Sequence, residues 1–441
     1  MPAVYKSSDI KVLTAAEGIR KRPGMYIGDT SDGSGLTNML MEVVSNSLDQ
    51  YLADKCTQIK VVIHPNNSIE VSDNGEGIPA HDLNGKSFIE HVFTELHSTA
   101  TYDGHTPHVH AGRPRGIGVV VVNILSENCT VNSYHNGIHW RQQFDKGVPL
   151  AQENKGGTSE KGTHILFQPS TQYFSSIAFD QGSILTRLRE LSYLNPGLNI
   201  DFEDKRTTKV SLCHPEGLTS YLEKIYPKAK SNTHRAFTVN GVSGDIKVEA
   251  AIQWAQFGGK QLSFANQLST IDGGVHVKGV VAGISRVLKT ELGGKKPVNT
   301  WFPIVSEGMY AVIHVNLANP LYHAPTKDRL ITPEAYRATQ QIMLKPTINH
   351  LLENTDLSVL FIERYVSRAI HKLWIKTYKK NSNIPTEIAI NHLLESLFEQ
   401  PERFLKLTDS FIKYGDLYNN NSPHKVSPDF LVSTIYPAPE Q

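Results

Sequence analysis

Cysteine and long apolar runs are two features that this 441-residue chain has little of. Its three cysteines, Cys56, Cys129 and Cys213, are an odd number without C-x-x-C spacing. They predict neither a disulfide framework nor a zinc site, and they favour a reducing, cytoplasmic setting. The sequence also shows no signal peptide and no apolar run long enough to span a bilayer, so we expect no membrane association.

An excess of charge of either sign is also missing, since 44 Lys and Arg against 43 Asp and Glu leave a net charge of +1. No nucleic-acid signal therefore covers the whole sequence, and any contact with DNA would need a local basic patch. A hydrophobic content of 39% with 20% charged residues is typical of a globular protein. The length allows two or three domains.

The stretch from Gly35 to Asp54 predicts an amphipathic helix around which the rest of the chain is organised. At about 100° per residue, its apolar side chains gather on one side. The members of that side are Leu36, Leu40, Val43, Val44, Leu48, Tyr51 and Leu52. The opposite side carries Asn38, Glu42, Asn46 and Asp49. By itself the helix leaves open whether this polar side is a site or an ordinary solvated face.

A predicted β-hairpin follows, with strands at Ile59 to His64 and Ile69 to Ser72 joined by a Pro-Asn-Asn turn. It runs into Asp73-Asn74-Gly75-Glu76-Gly77-Ile78-Pro79. Two glycines after an acidic residue let the backbone pass close to a flat ligand, and the carboxylate can accept a hydrogen bond from an exocyclic amine. A Gly-Xaa-Gly turn alone is also compatible with an ordinary loop.

A third element is the glycine-rich segment Gly112-Arg113-Pro114-Arg115-Gly116-Ile117-Gly118, which opens into VVVVNILSE. Such a loop before a helix offers free N–H groups and the positive end of the helix dipole, so phosphate is the natural ligand. The valines at 119–122 have low helix propensity. We nevertheless predict a short buried helix here, because Leu125 and the polar Ser126-Glu127-Asn128 fit its end.

The order E-x-x-x-N, D-x-G-x-G-x-P and G-x-x-x-G-x-G resembles the Bergerat-fold, or GHKL, ATPases. Within them, the chain is similar to the ATPase region of DNA gyrase B and of topoisomerase IV ParE, to about residue 346 and more thinly to 378. The further matching stretches are RKRPGMYIGDT (20–30), LRELSYLNPG (188–197), TIDGGVH (270–276) and PTKDRL (325–330). Histidine kinases lack the last two loops, and heat-shock chaperone ATPases carry a different middle domain.

The resemblance implies an α/β (α+β) architecture, with a Bergerat-fold ATPase sandwich followed by a transducer domain of ribosomal protein S5 domain 2-like fold. It implies ATP and Mg²⁺ as ligands, Glu42 as the general base, Asn46 as the Mg²⁺ ligand, and Lys327 as the contact to the γ-phosphate. The ATP-binding set carried over by position is Tyr5, Asn46, Asp49, Asp73, Gly75, Gly77, Ile78, Pro79, Gly112, Arg113, Arg115, Gly116, Ile117, Gly118, Val119 and Thr163. Thr163 is the expected partner of Asp73 in reading adenine.

We expect four segments: a dimerisation arm at 1–16, an ATPase domain at 17–220, a transducer domain at 221–380, and a divergent helical tail at 381–441. Tyr5 would reach the nucleotide of a second copy of the chain, which implies a homodimer on ATP binding. The E-G-D-S-A and D-x-D motifs of a Toprim domain are missing from these 441 residues. We therefore expect no DNA cleavage by this chain alone, and further partners in DNA and a separate gyrase A/ParC-like or Toprim-bearing protein.

In the ATPase region the sequence also predicts strands within Thr130 to Phe144 and Thr163 to Phe167, and a helix from Asp180 to Leu194. Beyond residue 221, strand-like runs at 246–254, 261–265 and 310–315 alternate with helical runs at 279–291 and 333–353. That order predicts an α/β layer with a crossover connection.

Several positions depart from the family pattern. Asn38 replaces a histidine that orients the glutamate, Ser45 replaces an aspartate, and the lid carries Arg113-Pro114-Arg115 where the family has G-L-H. Gln50 and His135 replace an acid and an arginine near the aminocoumarin pocket, so we expect weak binding of such drugs. These departures keep a second interpretation open: a catalytically weak nucleotide-binding regulator, mimic or protector of gyrase or topoisomerase IV.

Two further clusters of side chains can be explained without a binding site of their own. His105, His108 and His110 have a spacing that suits a metal ion, but no cysteine or carboxylate cluster accompanies them, and a lid over the nucleotide fits better. The basic cluster Arg20-Lys21-Arg22 is equally compatible with a site and with a solvated helix end.

Overall fold

The computed structural model describes residues 13–83, 85–96, 116–226, 236–291, 297–324, 326–354, 356–365 and 368. The described residues form two compact units, one that comprises those up to 220 with 266–268 and one that comprises the rest from 221 onward. Tyr5, Gly112, Arg113, Arg115, the three lid histidines and the tail 381–441 lie outside the described residues, so the predictions on them stay predictions.

The described part of the first unit contains helices and strands in mixed order. The helices are α1 (Ala15–Lys21), α2 (Gly24–Ile27), α3 (Ser34–Leu52), α4 (Phe88–Thr94), α5 (Gly118–Ile124) and α6 (Gln181–Leu194), and α7 (Leu218–Ile225) crosses into the second unit. The strands are β1 (Gln58–Ile63), β2 (Ile69–Asp73), β3 (Asp82–Leu83), β4 (Lys86–Ser87), β5 (Ser126–His135), β6 (Ile138–Asp145), β7 (Val148–Pro149), β8 (Glu153–Gly157), β9 (Gly162–Pro169), β10 (Asn199–Asp204) and β11 (Thr208–Leu212).

Among the described residues, nine of these strands form one sheet in the order β11-β10-β1-β2-β9-β5-β6-β7, with β8 also paired to β6. Of the described strand pairs in this sheet, only β1 and β10 run parallel, and the others are antiparallel. The register aligns Val61 with Val71, Val71 with Ile165, and Ile165 with Val131. Since aligned residues of neighbouring strands point to the same face, these four form one apolar row across the sheet.

The helices cover the face on which this row lies. Helix α3 contacts β1, β2 and β9, α5 contacts β5 and β9, and α6 contacts β10 and β11. The side chains Leu36, Leu40, Val43, Val44 and Leu48 of α3 are buried in this core. Tyr51 and Leu52 pack at its edge. The amphipathic helix and the β-hairpin predicted from sequence are therefore confirmed.

The segment around the valines is helical as expected, because α5 spans Gly118–Ile124 and every residue from Val119 to Ile124 is buried. Its end differs from the prediction, since Ser126 to Asn128 begin strand β5. Leu125 caps the helix, and the chain turns directly into the sheet. Arg20 of the basic cluster has a structural partner, because its Nη2 donates to the carbonyl oxygen of Lys146 at 2.5 Å.

The second unit has a five-stranded sheet of β12 (Phe237–Ser243), β13 (Ile246–Trp254), β14 (Lys260–Ala265), β15 (Leu268–Ser269) and β16 (Met309–Asn316), within the part of the chain that is described. The order is β12-β13-β16-β14-β15, and β14 runs parallel to β16. The helices α8 (Val275–Glu291) and α9 (Phe302–Ser306) lie between those two parallel strands in the chain. The predicted crossover connection is therefore present.

Helix α10 (Pro333–Glu353) packs along α8 and on β12 and β13, so the two long helices lie on the same sheet. A further helical segment at 356–365 adds Leu357, Phe361 and Tyr365 to the core of this unit. Across the described ranges, no helix combines the length and apolarity that a membrane crossing requires.

Candidate functional site

The carboxylate of Asp73 lies at the end of β2, on the face of the sheet that α3 covers. Alternation along β2 puts Asp73 on the same side as Ile69 and Val71, and all three are buried. Its Oδ1 accepts hydrogen bonds from the backbone N–H of Gly75 at 2.9 Å and of Thr163 at 3.3 Å. Its Oδ2 accepts one from Oγ of Ser47 at 2.7 Å.

Burial and hydrogen bonding change the pKa of the Asp73 carboxyl in opposite directions. Burial raises its pKa because the charged form loses water, and the donors Ser47, Gly75 and Thr163 partly offset that rise. An ionised carboxylate offers about four lone-pair positions, of which these donors occupy three. Among the described residues, no donor occupies the remaining acceptor position on Oδ2.

Gly162 allows the first residue of β9 to pass against Asp73. Its φ of 103° lies in the left-handed region, and a Cβ atom there would be 1.8 Å from the carbonyl oxygen of Asp73. Only glycine fits both requirements. Thr163, which follows, is thereby brought to the carboxylate through its backbone N–H.

The loop that follows Asp73 is held through its backbone. Oε1 of Gln50 accepts from the N–H of Glu76 at 3.3 Å, and Nδ1 of His135 lies 2.8 Å from the Glu76 carbonyl oxygen. The buried Ser133 hydroxyl bonds both the N–H and the carbonyl oxygen of Ile78, each at 2.7 Å. Gln50 and His135 thus hold the loop from two sides.

Glu42 lies one turn before Asn46 on α3 and faces the start of α5. A Cβ atom on Gly118 would be 2.2 Å from Oε2 of Glu42 and 3.1 Å from its Cβ. The backbone of α5 therefore runs directly against this side chain, and only hydrogen fits between them. Asp49, one further turn along, is 3% exposed, so the polar side of α3 is not an ordinary solvated face.

Asn46 and Asn38 have different surroundings on the same helix. The Asn46 side chain is half-buried, and no hydrogen bond joins it to another residue in the described ranges. A free amide oxygen next to a carboxylate fits Mg²⁺, which prefers hard oxygen ligands and keeps most of its shell for water and phosphate. Nδ2 of Asn38, by contrast, donates to the carbonyl oxygen of Ile27 at 2.8 Å.

Among the described residues, no group of three or more His, Cys, Asp or Glu could hold a metal ion. A cleft of about 570 Å³ separates α3 from α6 and is lined by Asn38, Met41, Asp180 and Arg187, among others. Neither Glu42 nor Asp73 lines this cleft.

Lys327 belongs to the second unit, in the loop between β16 and α10. Its φ of 61° is unusual for a residue with a side chain. Its N–H donates to the carbonyl oxygen of Ala324 at 3.0 Å, and its Nζ lies 6.0 Å from the centre of the Tyr322 ring.

The structure therefore brings Glu42, Asn46 and Asp49 together on α3, and Asp73, Gly75, Gly77, Ile78, Pro79 and Thr163 together at the ends of β2 and β9. Gly116 and Ile117 lead into α5, which begins at Gly118 and Val119, and Gly118 lies beside Glu42. Sequence reasoning missed Ser47 and Ser133. Their signal was a hydroxyl at a position that the periodicity places on the buried side, with Val43 and Val44 for Ser47 and with Val131 for Ser133, and such a hydroxyl is unspecific.

The fold and this arrangement define a GHKL-type ATPase domain followed by a transducer domain. Residues 31–172 match the family model of the histidine kinase-, DNA gyrase B-, and HSP90-like ATPases, and residues 217–383 match that of DNA gyrase B. The chain is therefore similar to DNA gyrase B over an ATPase domain and the transducer domain that follows it.

Relatives of known sequence agree with this assignment. The chain is 32% identical to the DNA gyrase B protein of Rickettsia conorii over 428 residues, which cover 93% of this chain and 53% of that protein. It is 36% identical to the DNA gyrase B protein of Myxococcus xanthus over 368 residues, 81% of this chain and 45% of that protein. The chain thus spans about half the length of the curated relatives it matches.

Solved structures agree as well. The 43K ATPase domain of Thermus thermophilus gyrase B, in complex with an aminocoumarin, is similar with a TM-score of 0.70 and 28% identity, over 83% of this chain and 98% of that one. The topoisomerase IV ATP-binding domain of Francisella tularensis, in complex with a small-molecule inhibitor, is similar with a TM-score of 0.67 and 25% identity, over 80% of this chain and 96% of that one.

Proposed function

We propose that this chain binds Mg-ATP, hydrolyses its γ-phosphate, and closes as a nucleotide-gated dimer within a type IIA topoisomerase-like system. The observation that carries the proposal is the arrangement around α3. A buried carboxylate with one free acceptor position, Asp73, lies under the helix, and Glu42 lies against the first residue of the helix that follows the glycine-rich loop.

In this proposal each residue has a role that fits the chemistry of its side chain. Asp73 accepts the exocyclic amine of adenine beside Thr163, and the glycines of both loops allow close approach of base and phosphates. Asn46 holds Mg²⁺, which would neutralise phosphate charge when bound. Glu42 takes a proton from the attacking water. Lys327 contributes positive charge at the γ-phosphate and relays its presence to the second unit.

The hydrolytic step is tested by Glu42→Ala, measured as steady-state phosphate release and as equilibrium binding of a non-hydrolysable ATP analogue. We expect turnover to fall by about 100-fold or more, the usual range for a general base, with nucleotide binding kept. Equal turnover in the wild type and the variant would contradict the assignment of Glu42.

Dimer closure is tested by the solution mass with and without the analogue and Mg²⁺. We expect the mass to double when both are present and to return on their removal. A constant mass under both conditions would refute the nucleotide-gated dimer. Addition of DNA or of a gyrase A/ParC-like protein to the ATPase assay then tests those partners by a change in turnover.

The alternative is a regulator, mimic or protector of gyrase or topoisomerase IV that binds nucleotide and turns it over slowly. The contact of Asn38 with Ile27 favours it, because one N–H of the Asn38 amide is engaged by the end of α2, at the position where the resemblance places a histidine that orients the glutamate. Wild-type turnover that is barely above background, with micromolar nucleotide binding, would favour this second function. Turnover that no gyrase protein or DNA changes would weaken it.

Aminocoumarin binding gives an independent check of the pocket. The Thermus thermophilus relative binds an aminocoumarin. In this chain Gln50 and His135 are engaged with the backbone of Glu76, so we expect weak binding. The measurement is a drug titration with competing ATP analogue on the wild type and on a Gln50→Glu, His135→Arg double variant. Tight, nucleotide-competitive binding to the wild type would refute this expectation.

A further inference from the structure

The hydroxyl of Ser47 is buried in an apolar interior, and its hydrogen-bond acceptor is unusual for a serine inside a helix. Ser47 is 4% exposed on α3, between Val43, Val44 and Leu48 of the core. A serine inside a helix usually donates to the carbonyl oxygen one turn earlier. Ser45 on the same helix does so, with Met41 as its acceptor at 2.6 Å. Ser47 instead donates across to Oδ2 of Asp73 at 2.7 Å.

This hydrogen bond is the third that the Asp73 carboxylate accepts. Two backbone donors, from Gly75 and Thr163, bond to Oδ1 alone. Rotation about the last side-chain bond of an aspartate is broad, so donors on one oxygen fix the carboxylate plane poorly. A donor on the other oxygen removes that freedom, and bonds to an ionised group are roughly twice as strong as neutral ones.

We infer that Ser47 is a positioning residue for base recognition, which orients Asp73 so that the free acceptor position of Oδ2 faces an amino purine. This inference rests on the proposed function of the site. An amino group donates to that position, whereas a keto purine presents an oxygen that the carboxylate repels. Ser47 therefore sharpens the choice of adenine over guanine nucleotides.

The first test compares dissociation constants for ADP and GDP, by calorimetry on the full chain, among the wild type, Ser47→Ala and Ser47→Thr. We expect Ser47→Ala to weaken ADP binding by about tenfold, in keeping with loss of a bond to a charged group, and GDP binding by much less. Ser47→Thr keeps the hydroxyl and should restore most of the preference for ADP. Ser45→Ala is the matched control, since its hydroxyl serves only its own helix.

The second readout is the pH at which ADP binding is lost on acidification. Without the Ser47 donor, the ionised form of Asp73 is less stabilised, so the loss should begin at a higher pH in Ser47→Ala than in the wild type. A merely structural role would leave that pH unchanged. An unchanged ADP to GDP ratio in Ser47→Ala, or no rescue by Ser47→Thr, would overturn the inference and leave the proposed function intact. A wild type that binds neither nucleotide would overturn both.

Discussion

The contact between Glu42 and Gly118 shows how one missing side chain shapes the site. Glycine at position 118 leaves the space that the Glu42 carboxylate occupies, since a Cβ atom there would come within 2.2 Å of Oε2. The clash would be with the end of a flexible side chain, so the helix can persist while the carboxylate moves. The proposed general base is therefore sensitive to a methyl group on another helix.

We expect Gly118→Ala to lower kcat by about tenfold to 100-fold, because a misplaced base loses much of its contribution. Nucleotide affinity should change far less. Single-turnover hydrolysis and analogue binding measure the two effects separately. Gly18→Ala is the control, since a Cβ atom on Gly18 meets no atom within 4 Å. A normal kcat in Gly118→Ala would show that Glu42 is not positioned by this contact.

The raised pKa of Asp73 predicts an acid-sensitive nucleotide affinity. Burial lifts the pKa above the ordinary value of 3.8, so the carboxylate takes up a proton at a higher pH than an exposed aspartate. Because protonation removes acceptor capacity, ADP affinity should fall as the pH drops through the raised value and be constant well above it. Asp73→Asn should bind ADP about tenfold more weakly at pH 7. Its dependence on acid should be flatter, and an identical pH profile for both proteins would contradict the prediction.

At the scale of elements, the loop from 317 to 332 combines a charge with a strained backbone. Lys327 has a φ of 61°. In this left-handed conformation a residue with a Cβ atom has a higher conformational free energy than glycine. Strain of this kind persists only where the surrounding loop holds it, here through the bond from Lys327 N–H to Ala324. The loop therefore offers a way to separate the charge of the lysine from its backbone conformation.

We expect Lys327→Ala and Lys327→Gly both to lower ATP turnover by about 100-fold or more, because each removes the charge proposed at the γ-phosphate. Only Lys327→Gly relieves the strain, so it should be more stable than Lys327→Ala by up to about 1 kcal/mol. Phosphate release and thermal unfolding measure the two effects. If Lys327→Gly kept full turnover, the loop conformation and not the charge would be the functional feature.

At the scale of the whole molecule, each unit has its own core and its own sensitivity to pH. In the second unit His276 is buried at the start of α8, 3.5 Å from Oγ1 of Thr270, and burial lowers its pKa to about 3. His314, which is also buried and pairs with Glu249, adds repulsion. Burial therefore favours the neutral form of His276 in the folded state of this unit.

A depressed histidine pKa makes the folded state acid-labile. Well above pH 6.5 both states carry neutral His276, and its ionisation contributes nothing. Below about pH 6.5 His276 binds a proton in the unfolded chain but not in the folded chain. The free energy of unfolding should then fall by up to about 1.4 kcal/mol per pH unit. Urea unfolding at pH 7, 6 and 5 measures the slope, and His276→Gln should flatten it. An equal slope in both proteins would contradict this account.

Local sequence decided much of the fold. The apolar spacing of 35–54, the alternation of 59–72 and the runs at 246–254 and 333–353 specify helices and strands that the structure reproduces within a few residues. These patterns are reliable because the 3.6-residue and two-residue periods each allow one buried side. From the motifs we also predicted which residue types would surround a nucleotide, since phosphate, adenine and magnesium each bind particular chemical groups.

Only the tertiary structure decided which side chains meet. Ser47 and Asp73 are 26 positions apart, and Asp73 and Thr163 are 90 positions apart. Their hydrogen bonds depend on how α3 and β9 pack against β2. The same packing buried Asp49, turned Asn38 to the carbonyl of Ile27, and brought Gly118 against Glu42. The sequence by itself indicated the helices and strands through local periodicity, and its motifs carried the resemblance that supplied the fold class and the expected roles of the site residues. The partners of each polar group were left to long-range packing, because no local pattern specifies a contact between distant segments.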